Sequence, residues 1–577
     1  MIASILFPSS CKGNDAAPSL ALLRLLGRHP GYSLLATAAA WGAVQVMRRY
    51  YQMCTSPLRH VPGPPRANFW TGYFFLIQRE PFLAPQKRWF EALRQKDGKS
   101  PAMFAYTNLL GRYTLVIMDP DIVQQILTDP TVGKEPSLIR FPKRYKFLQE
   151  ITAGEGLATL EGPDWSRHRR IIQPSFQTTA LRTALDQVVP NLTAQLVDAW
   201  TRAAAGRVID VNSHLSALTL DVIGQVAFAH DFGALANLEA WVDSQRKHDD
   251  DDGAALAQVQ DPLIRALHDS FKMTVAGLLV IVLDIPWAER YLNRGAWKRR
   301  VMLNAATDEI VQKAQQQQHA SAKDDDYDDS TPRQHKSLLQ LLLEARANTP
   351  DSRNALSDVE LRDECKTFIV AGHETTSTWC YWTLYALAIH PDVQKNLYAE
   401  IKSKQGQGDD DKAVSENDGP LHLQHVENME YLAAVMEEVL RFYSPVGGII
   451  RYTGREERWH GYTISPDTRV VVPFHMLQRH PDHWKDPETF WPERWLDKEA
   501  MAQRHRFVHN PFSGGGRNCI GRRFAQIEAK LIIANLVKAF EIRLAPCMAD
   551  QEISFSSFLT MKSKTPIKIC VQPRGCA

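Results

Sequence analysis

The spacing of apolar residues along the chain follows a helical period over most of its length. One unbroken helical pattern runs over residues 357–390. Segments with the composition of β-strands are short, and examples are Thr114–Met118, Arg469–Pro473 and Ile567–Val571. The pattern therefore predicts a mainly α fold with a small β region.

An uncharged segment lies near the N-terminus. No charged side chain occurs from Gly31 to Met47, and this stretch is close to the ~17 residues that a bilayer-spanning helix needs at minimum. Arg48 and Arg49 follow directly, and basic residues beside a span favour the cytoplasmic side. We predict a leader over 1–30, a single transmembrane helix over 31–50, a proline-rich hinge over 51–66 and one large domain over 67–577. A cleaved signal peptide and a mitochondrial presequence are the alternatives.

The composition is that of a globular protein whose main partner is not a polyanion. The 577 residues include 67 Lys and Arg against 65 Asp and Glu, so the formal net charge is only +2. This balance argues against nucleic acid as a partner. The eight cysteines include no Cys-x-x-Cys pair, which argues against a disulfide framework and a structural zinc site. A reducing compartment suits this pattern.

A glycine-rich segment near the C-terminus, which we call the Cys loop, carries one cysteine just before an apolar helical pattern. Its sequence is Phe512-Ser-Gly-Gly-Gly-Arg-Asn-Cys519-Ile-Gly521. Backbone N–H groups and the positive end of a helix dipole at such a turn stabilise a thiolate. A nucleophilic cysteine needs an adjacent base, and the segment contains no histidine, whereas a thiolate that ligates haem iron needs only the N–H donors. Haem ligation is the better interpretation of Cys519, and a buried inert cysteine is the alternative.

The long helical pattern carries an acid and an alcohol at its centre. It begins with a capping box, Ser357-Asp-Val-Glu360, and is about 50 Å long at 1.5 Å per residue, enough to cross a domain. In its middle, Ala371-Gly-His-Glu374-Thr375 combines small residues with groups that can relay protons to reduced dioxygen on iron. Because Gly and Thr hydroxyls loosen helical hydrogen bonds, we expect the helix to part here for a ligand. A His-Glu-x-x-His zinc site is excluded because position 377 is serine.

Two further pairs stand at helical spacing. Glu438 and Arg441 are three residues apart on an amphipathic stretch and therefore lie side by side. Trp165 and Arg169 are four residues apart, so an indole N–H and a guanidinium share a helical face that suits two carboxylates of a haem edge. Ordinary surface positions are the alternative for these charged residues.

Taken together, these motifs resemble those of the cytochrome P450 family, the haem-thiolate monooxygenases. They follow the family's order over residues 60–577: proline hinge, Trp-x-x-x-Arg, the oxygen-site helix, Glu-x-x-Arg, Pro-Glu-Arg-Trp at 492–495 and the Cys loop. The resemblance implies the mainly helical cytochrome P450 fold with a small β region. It also implies that a haem b lies between the long helix and the Cys loop.

The resemblance further implies a role for each motif residue. Cys519 is the axial iron ligand, and Glu374 and Thr375 are the catalytic pair. Glu438, Arg441 and Arg494 form a buried triad that braces the Cys loop. The remaining cofactor-binding positions, which hold the haem and its propionates, are Trp165, Arg169, Arg451, Phe512 and Arg517.

The implied reaction inserts one oxygen atom of O2 into a lipophilic small molecule, by hydroxylation or epoxidation, with electrons from NADPH. No flavin- or nicotinamide-binding module is visible in the sequence, so we expect a separate NADPH–cytochrome P450 reductase to dock near Arg517, Arg522 and Arg523. We expect the protein in the endoplasmic reticulum membrane with a cytosolic catalytic domain, and a mitochondrial location is the alternative. Substrate contacts are expected from residues 142–156, 215–264, 446–450 and 556–560.

Two other functions and several substrate classes stay open. A haem-thiolate isomerase or dehydratase would act without external electrons, but the presence of both Glu374 and Thr375 argues against it. A non-enzymatic haem sensor would bind haem without forming a product. A fatty acid, terpenoid, sterol or polyketide each remains a candidate substrate. The residues 368–375 look like those of fatty-acid ω-hydroxylases, but Ala371 stands where some of those enzymes carry a Glu that attaches covalently to haem.

Overall fold

The structure is a computed structural model that describes residues 30–129, 154–203, 208–236, 294–321, 336–348, 355–405, 419–557 and 560–574. Helices predominate in this part of the chain. In chain order they are α1 Pro30–Thr55, α2 Phe74–Arg79, α3 Ala84–Asp97, α4 Pro120–Thr128, α5 Gly162–Ile172, α6 Thr179–Ala203, α7 Val211–Phe228, α8 Arg294–Ser321, α9 Leu338–Ala347, α10 Asp358–Ile389, α11 Pro391–Gln405, α12 Leu423–Val426, α13 Glu430–Tyr443, α14 Phe474–Leu477, α15 Lys498–Gln503 and α16 Arg522–Ala539.

The strands are short and form small sheets. They are β1 Met103–Thr107, β2 Tyr113–Ile117, β3 Ile209–Asp210, β4 Ile449–Tyr452, β5 Glu457–Trp459, β6 Tyr462–Ile464, β7 Arg469–Val472, β8 Phe540–Leu544, β9 Phe555–Ser557, β10 Met561–Ser563 and β11 Lys568–Pro573. One sheet has the order β1-β2-β7-β4, with β2 and β7 parallel, and another has the order β3-β11-β8. Strands β5–β6 and β9–β10 form antiparallel pairs. The predicted mainly α class with a small β region is confirmed, and β2, β7 and β11 are the three strands expected from the sequence.

Two apolar clusters fill the interior of the described part. The larger cluster surrounds α10, which packs against α7, α13 and α16 and buries Trp379, Trp382 and Leu384. The smaller one lies on the four-stranded sheet and includes Phe104 and Leu115. Because α10 is buried on nearly all sides over most of its length, it is stable only in the middle of the domain. The middle of α10 therefore lies in the interior of the domain.

Helix α10 has the ends that the sequence predicts. The Ser357 side chain accepts a hydrogen bond from the N–H of Glu360, and the Glu360 carboxylate accepts one from the N–H of Ser357 at 2.8 Å. The helix ends at Ile389, two residues before Pro391. The capping box and the proline therefore set both ends, and the observed helix has 32 residues.

The predicted anchor, residues 31–50, falls within α1, whereas the predicted leader, apart from Pro30, lies outside the described residues. No helix in the described ranges is both long and apolar enough to meet the requirement for crossing a bilayer, so the span predicted over 31–50 is not confirmed. Trp41, Met47 and Tyr51 of α1 are exposed.

The proline-rich segment that follows α1 lies against the first sheet. Leu58 and Val61 are buried, and the N–H of Ala105 in β1 donates to the carbonyl of Pro62 at 2.8 Å. A Cβ at position 63 would lie 1.9 Å from the carbonyl oxygen of Ala105, so only glycine permits this approach. The segment predicted as a hinge is thus fixed to the domain from residue 58 onward.

Candidate active site

The Cys loop has a tightly constrained backbone. It passes through a 3₁₀ turn, Gly515–Arg517, before α16 begins. Gly515 has a φ of +64°, and a Cβ there would lie 1.8 Å from the carbonyl oxygen of Leu127. The N–H of Cys519 donates to the carbonyl of Phe512 at 2.9 Å, which closes the loop. The glycine and this hydrogen bond together set the position of the cysteine.

The Cys519 side chain is accessible from a cavity of about 320 Å³ whose lining includes Arg169, Gln173 and Arg522. Although solvent reaches the sulfur from that side, protein atoms enclose most of it, and this burial raises the pKa of the thiol. The N–H of Gly521 and the two guanidinium groups oppose the rise. The thiolate-stabilising groups expected from the sequence are present, but desolvation outweighs them, so the expected net stabilisation of the thiolate is wrong for the protein alone.

The centre of α10 is accessible although both flanks of the helix are buried. Ala371 is exposed and residues 372–375 are partly exposed, between predominantly buried runs over 361–370 and 376–384. The α-helix is continuous here, and the Thr375 hydroxyl donates to the carbonyl of Ala371 at 2.7 Å. The expectation that the helix parts at this point is therefore wrong. The extra side-chain hydrogen bond is accommodated without breaking the helix.

Glu374 is held by two residues of the C-terminal hairpin, Lys562, which no sequence prediction included, and Thr560, which was predicted only as part of a substrate-contact segment. Lys562 Nζ lies 2.8 Å from Glu374 Oε1, and the Thr560 hydroxyl donates to the same oxygen at 2.9 Å. Burial alone would raise the pKa of this carboxyl, but Lys562 and, less strongly, His373 bring it below its usual value. A lysine in a C-terminal strand carries no spacing that relates it to Glu374, so no local signal could have identified it.

Two contacts join the Cys loop and α16 to α10. The rings of Phe512 and Trp379 meet edge to face, with centroids 5.8 Å apart. Glu528 of α16 is 1% exposed, and its carboxyl group lies near Thr376 of α10. Burial raises the pKa of Glu528 well above its usual range. Glu528 has no role among the sequence-based predictions, and the available signal was an acid in a mostly apolar helical run.

The three arginines predicted to bind the cofactor, Arg169, Arg451 and Arg517, are at least partly buried. Arg451 is 7% exposed, and burial lowers its pKa to about 10. Burial and the nearby charge of Arg451 lower the pKa of Arg517 to about 9. The Arg517 Nη1 donates to the carbonyl of Leu160 at 2.9 Å, but its Nη2 is buried and has no hydrogen-bond partner in the part of the chain that the structure describes. These groups would be stabilised by added carboxylates, and the propionates of haem fit that requirement.

The Trp165 and Arg169 pair lies on α5, as predicted, but its two members face different groups. The Trp165 ring stacks on the Arg517 guanidinium, whose Cζ lies 3.9 Å from the ring centroid. Arg169 Nη1 donates to the carbonyl of Asn518 at 3.0 Å and Nη2 donates to Asn518 Oδ1 at 2.7 Å. Arg169 therefore holds the Cys loop one residue before Cys519.

Glu438, Arg441 and Arg494 meet as the sequence analysis expected. Arg441 makes two hydrogen bonds to the Glu438 carboxylate, at 2.8 and 2.9 Å, and Arg494 Nε donates to it at 3.1 Å. The Trp491 N–H and the Trp495 indole N–H also donate to it, at 2.8 and 2.9 Å. Five donors thus saturate one fully buried carboxylate and connect α13 to the 3₁₀ turn Pro492–Trp495.

A family model described as Cytochrome P450 matches residues 62–571 of the chain. The chain belongs to the cytochrome P450 family. It is similar to human Cytochrome P450 4X1, with 26% identity over 93% of this chain and 95% of that protein. It is also similar to Cytochrome P450 monooxygenase 205 of Postia placenta, with 29% identity over 95% of this chain and 96% of the relative. The crystal structure of the cytochrome P450DA heme domain superposes with a TM-score of 0.67 at 26% identity and covers 89% of this chain and 98% of that structure.

Membership in the family settles the reaction class and the cofactor. P450 proteins are haem-thiolate monooxygenases in which a cysteine thiolate ligates the iron. The residues present fit such a cofactor for three reasons. The described part of the chain holds an accessible cysteine, two arginines whose positive charges are only partly neutralised by nearby groups, and an accessible centre of α10. The division of the chain into leader, anchor, hinge and domain stays a prediction.

Proposed function

We propose that this P450 inserts one oxygen atom of O2 into a lipophilic small molecule, and that the thiolate of Cys519 would ligate the iron of haem b. The observation that carries this proposal is the accessible Cys519 in a loop whose backbone is constrained by glycine. This loop packs on α10 through the contact between Phe512 and Trp379. The middle of α10 is otherwise buried and is accessible at residues 371–375. The haem, when bound, supplies the iron at which O2 is activated. No other group of the described residues combines these features.

The protein's own residues hold the cofactor at its edge. Arg451 and Arg517 would each donate to a propionate, and the unpartnered Arg517 Nη2 supports that role. Trp165 orients the Arg517 guanidinium by stacking on it, and Arg169 positions the Cys loop through Asn518. Phe512 packs the Cys loop against Trp379 of α10. The triad around Glu438 keeps the segment that precedes the loop in place.

Glu374 and Thr375 are the proposed proton-transfer pair. Both lie at the accessible centre of α10, where a reacting atom would be within reach. Thr375 holds its hydroxyl against Ala371 O, and Glu374 is kept ionised by its partners. The pair would bring protons from solvent to the reacting oxygen while the surrounding apolar helix excludes bulk water.

Substrate and electron donor are proposed from the surfaces around this site. Residues 446–450 and the described part of 556–560 are uncharged and suit a lipophilic substrate, whereas residues 142–153, 237–264 and 558–559 lie outside the described residues. Arg522 and Arg523 are exposed beside the Cys loop and suit an acidic surface of NADPH–cytochrome P450 reductase. The exposed apolar side chains of α1 support attachment to a membrane, which we propose is that of the endoplasmic reticulum. Arg48 and Arg49 support a cytosolic position of the domain.

The ligand assignment is tested by the spectrum of the reduced, carbon-monoxide-treated protein. We expect the wild type to show the Soret band of thiolate-ligated haem and Cys519→Ser to lose it, because a serine hydroxyl does not replace the thiolate. Cys547→Ser, at an exposed cysteine outside the Cys loop, is the matched control and should keep the band. A Cys519→Ser protein with an unchanged band would refute the assignment.

The reaction class is tested by supplying electrons. With NADPH and a reductase, mass spectrometry of lipid extracts should reveal a metabolite that gains one oxygen atom, and no product should form without NADPH. Turnover of an organic peroxide without NADPH, and with no monooxygenated product, would instead indicate the isomerase or dehydratase alternative. Haem binding with no product under either condition would indicate the sensor.

A further inference from the structure

The hairpin β9–β10 supplies a cation to the centre of α10. Lys562 pairs with Ser556 in the antiparallel register, and its ammonium group reaches Glu374 Oε1. Thr560 donates to that oxygen too, and the Thr378 hydroxyl donates to Thr560 at 3.2 Å. The Glu374 carboxylate is therefore bound to the hairpin and not to the neighbouring alcohol of the proton-transfer pair.

The position of this lysine is set by the backbone. The N–H of Met561, the residue before it, donates to the carbonyl of Pro445 at 2.8 Å. The indole of Trp382 on α10 donates to the carbonyl of Met561 at 2.7 Å. These two bonds attach the hairpin to α10 and to the segment after α13, so Lys562 is directed at Glu374 by a fixed strand. A flexible surface lysine would have no such support.

The ion pair decides the charge of Glu374. Both side chains are 23% exposed, so solvent screens them only in part. The charged or titratable groups that act on the carboxylate are Lys562 on the hairpin and His373 on α10, whose Nε2 lies 3.8 Å away. Burial lowers the pKa of His373, which leaves Lys562 as the main cation.

The two members of the proton-transfer pair are each committed to another partner. Glu374 accepts from Lys562 and Thr560, and the Thr375 hydroxyl donates to Ala371 O. Before the carboxyl group can pass a proton to the reacting oxygen, it has to accept one from solvent and leave the ammonium group. Each proton delivered is replaced by one from water, so the side chain returns to the ionised, paired state.

We propose that Lys562 is a positioning residue that holds Glu374 in a resting, ionised state and thereby sets the pH range over which it delivers protons. The proposal rests on the proposed function, because it needs Glu374 to be the proton-transfer acid. It assigns to the C-terminal hairpin a part in the timing of the reaction, besides its expected contact with substrate.

The first test compares pH profiles of product formed per NADPH consumed by the holoenzyme with its reductase. Without Lys562, burial raises the pKa of Glu374, so Lys562→Met should move the midpoint of the profile to higher pH. Lys562→Arg should restore the wild-type midpoint. Glu374→Gln should lower product formation, up to about 100-fold, and should abolish the ionisation that sets this midpoint. Lys564→Met, at an exposed lysine two residues further on, should match the wild type.

The second test does not depend on turnover. A carboxyl whose pKa is lower in the folded protein than in the unfolded chain adds stability that is present above the unfolded pKa and is lost as pH falls through the folded value. Lys562→Met should therefore lower the Tm of the holoenzyme at pH 7 more than near pH 4. In the Glu374→Gln background, the same substitution should change the Tm little, because the pair is already lost.

Three outcomes distinguish the proposed role of Lys562 from the proposed function of the site, on which it rests. If Glu374→Gln lowers the product per NADPH while Lys562→Met shifts neither the profile nor the Tm, the lysine proposal is wrong and the proposed function stands. If Glu374→Gln has no effect on the product per NADPH, both the role of the acid and the lysine proposal are wrong. A shifted profile that Lys562→Arg reverses, with Lys564→Met unchanged, supports the proposal.

Discussion

At the scale of single residues, the most informative side chain is Arg517. It lies in the Cys loop, stacks on Trp165 and has one buried nitrogen without a partner in the described residues. Arg451 adds a like charge that depresses its pKa further. Without a cofactor this arrangement costs free energy, since the nearby charge of Glu161 offsets only part of the burial and like-charge repulsion of the Arg517 guanidinium. The side chain is explained by an anionic group that arrives from outside the chain.

Replacing this arginine should separate cofactor binding from stability. We expect Arg517→Met to weaken haem binding by about 10- to 100-fold, which corresponds to the ~1.5–3 kcal/mol of a charge-assisted hydrogen bond. The Tm of the haem-free protein should stay equal or rise, because a buried cation has been removed. Haem transfer to apomyoglobin measures the first quantity and circular dichroism the second. Arg458→Met, at an exposed arginine, is the control. Unchanged haem retention in Arg517→Met would contradict the assignment.

The residues of the site divide by how far their partners lie along the chain. Cys519, Glu374 and Arg441 could be found because their chemistry depends on neighbours a few positions away, in a turn or along one helix. Lys562 could not, because its partner is 188 positions away and the pairing depends on how the hairpin packs. The direction of the pKa shift of Cys519 was also predicted wrongly. A local motif reveals the N–H donors that lower this pKa but not the burial that raises it.

At the scale of elements, the carboxylate of Glu438 connects α13 to the turn that carries Arg494. Its five donors leave no lone pair for water, and both arginines are almost fully enclosed. Such a network contributes little net free energy when complete, but it is costly to break because the remaining charges cannot be solvated. It therefore acts mainly to fix the relative position of the two elements.

Glu438→Gln should accordingly destabilise the holoenzyme by about 3–5 kcal/mol, because it leaves two buried guanidinium groups without their counter-charge. The urea midpoint of the unfolding transition, followed by circular dichroism and by loss of the Soret band, measures the effect. Glu430→Gln, at an exposed position in the first turn of the same helix, should cost less than about 1 kcal/mol. Equal midpoints for the two variants would show that the network does not brace the loop.

The elements themselves were largely predictable. Both ends of α10 follow from a capping box and a proline, which act within one turn. Its expected opening at Gly372 was wrong because Thr375 adds a bond to the carbonyl four residues earlier while the backbone bonds persist. Gly372 instead permits close packing, since a Cβ there would lie 3.0 Å from Ile223 of α7.

At the scale of the whole molecule, α1 presents apolar and aromatic side chains to its surroundings. Trp41, Val44, Met47 and Tyr51 are all more than half exposed, and Trp70 at the edge of the domain adds another exposed ring. Tryptophan and tyrosine favour the boundary between lipid headgroups and hydrocarbon. This surface suits the proposed membrane attachment, with the helix and the adjoining face of the domain in contact with lipid.

Removal of residues 1–56 should move the protein from the membrane pellet to the supernatant after ultracentrifugation, because it deletes the exposed apolar surface of α1. The truncated protein should keep the carbon-monoxide spectrum, since the family match begins at residue 62. Full-length protein, treated in parallel, is the control. A truncated protein that still sediments quantitatively with membranes would show that the main attachment lies elsewhere.

The under-compensated arginines beside the Cys loop have a consequence for biosynthesis. In a newly made polypeptide these cations come together before a propionate neutralises them. We therefore expect the last folding step to follow binding of the porphyrin. We therefore expect iron supply and porphyrin synthesis to affect how much mature enzyme accumulates, because polypeptides without haem are open to chaperones and proteases for longer. The same charges that bind the cofactor would make completion of folding depend on haem binding.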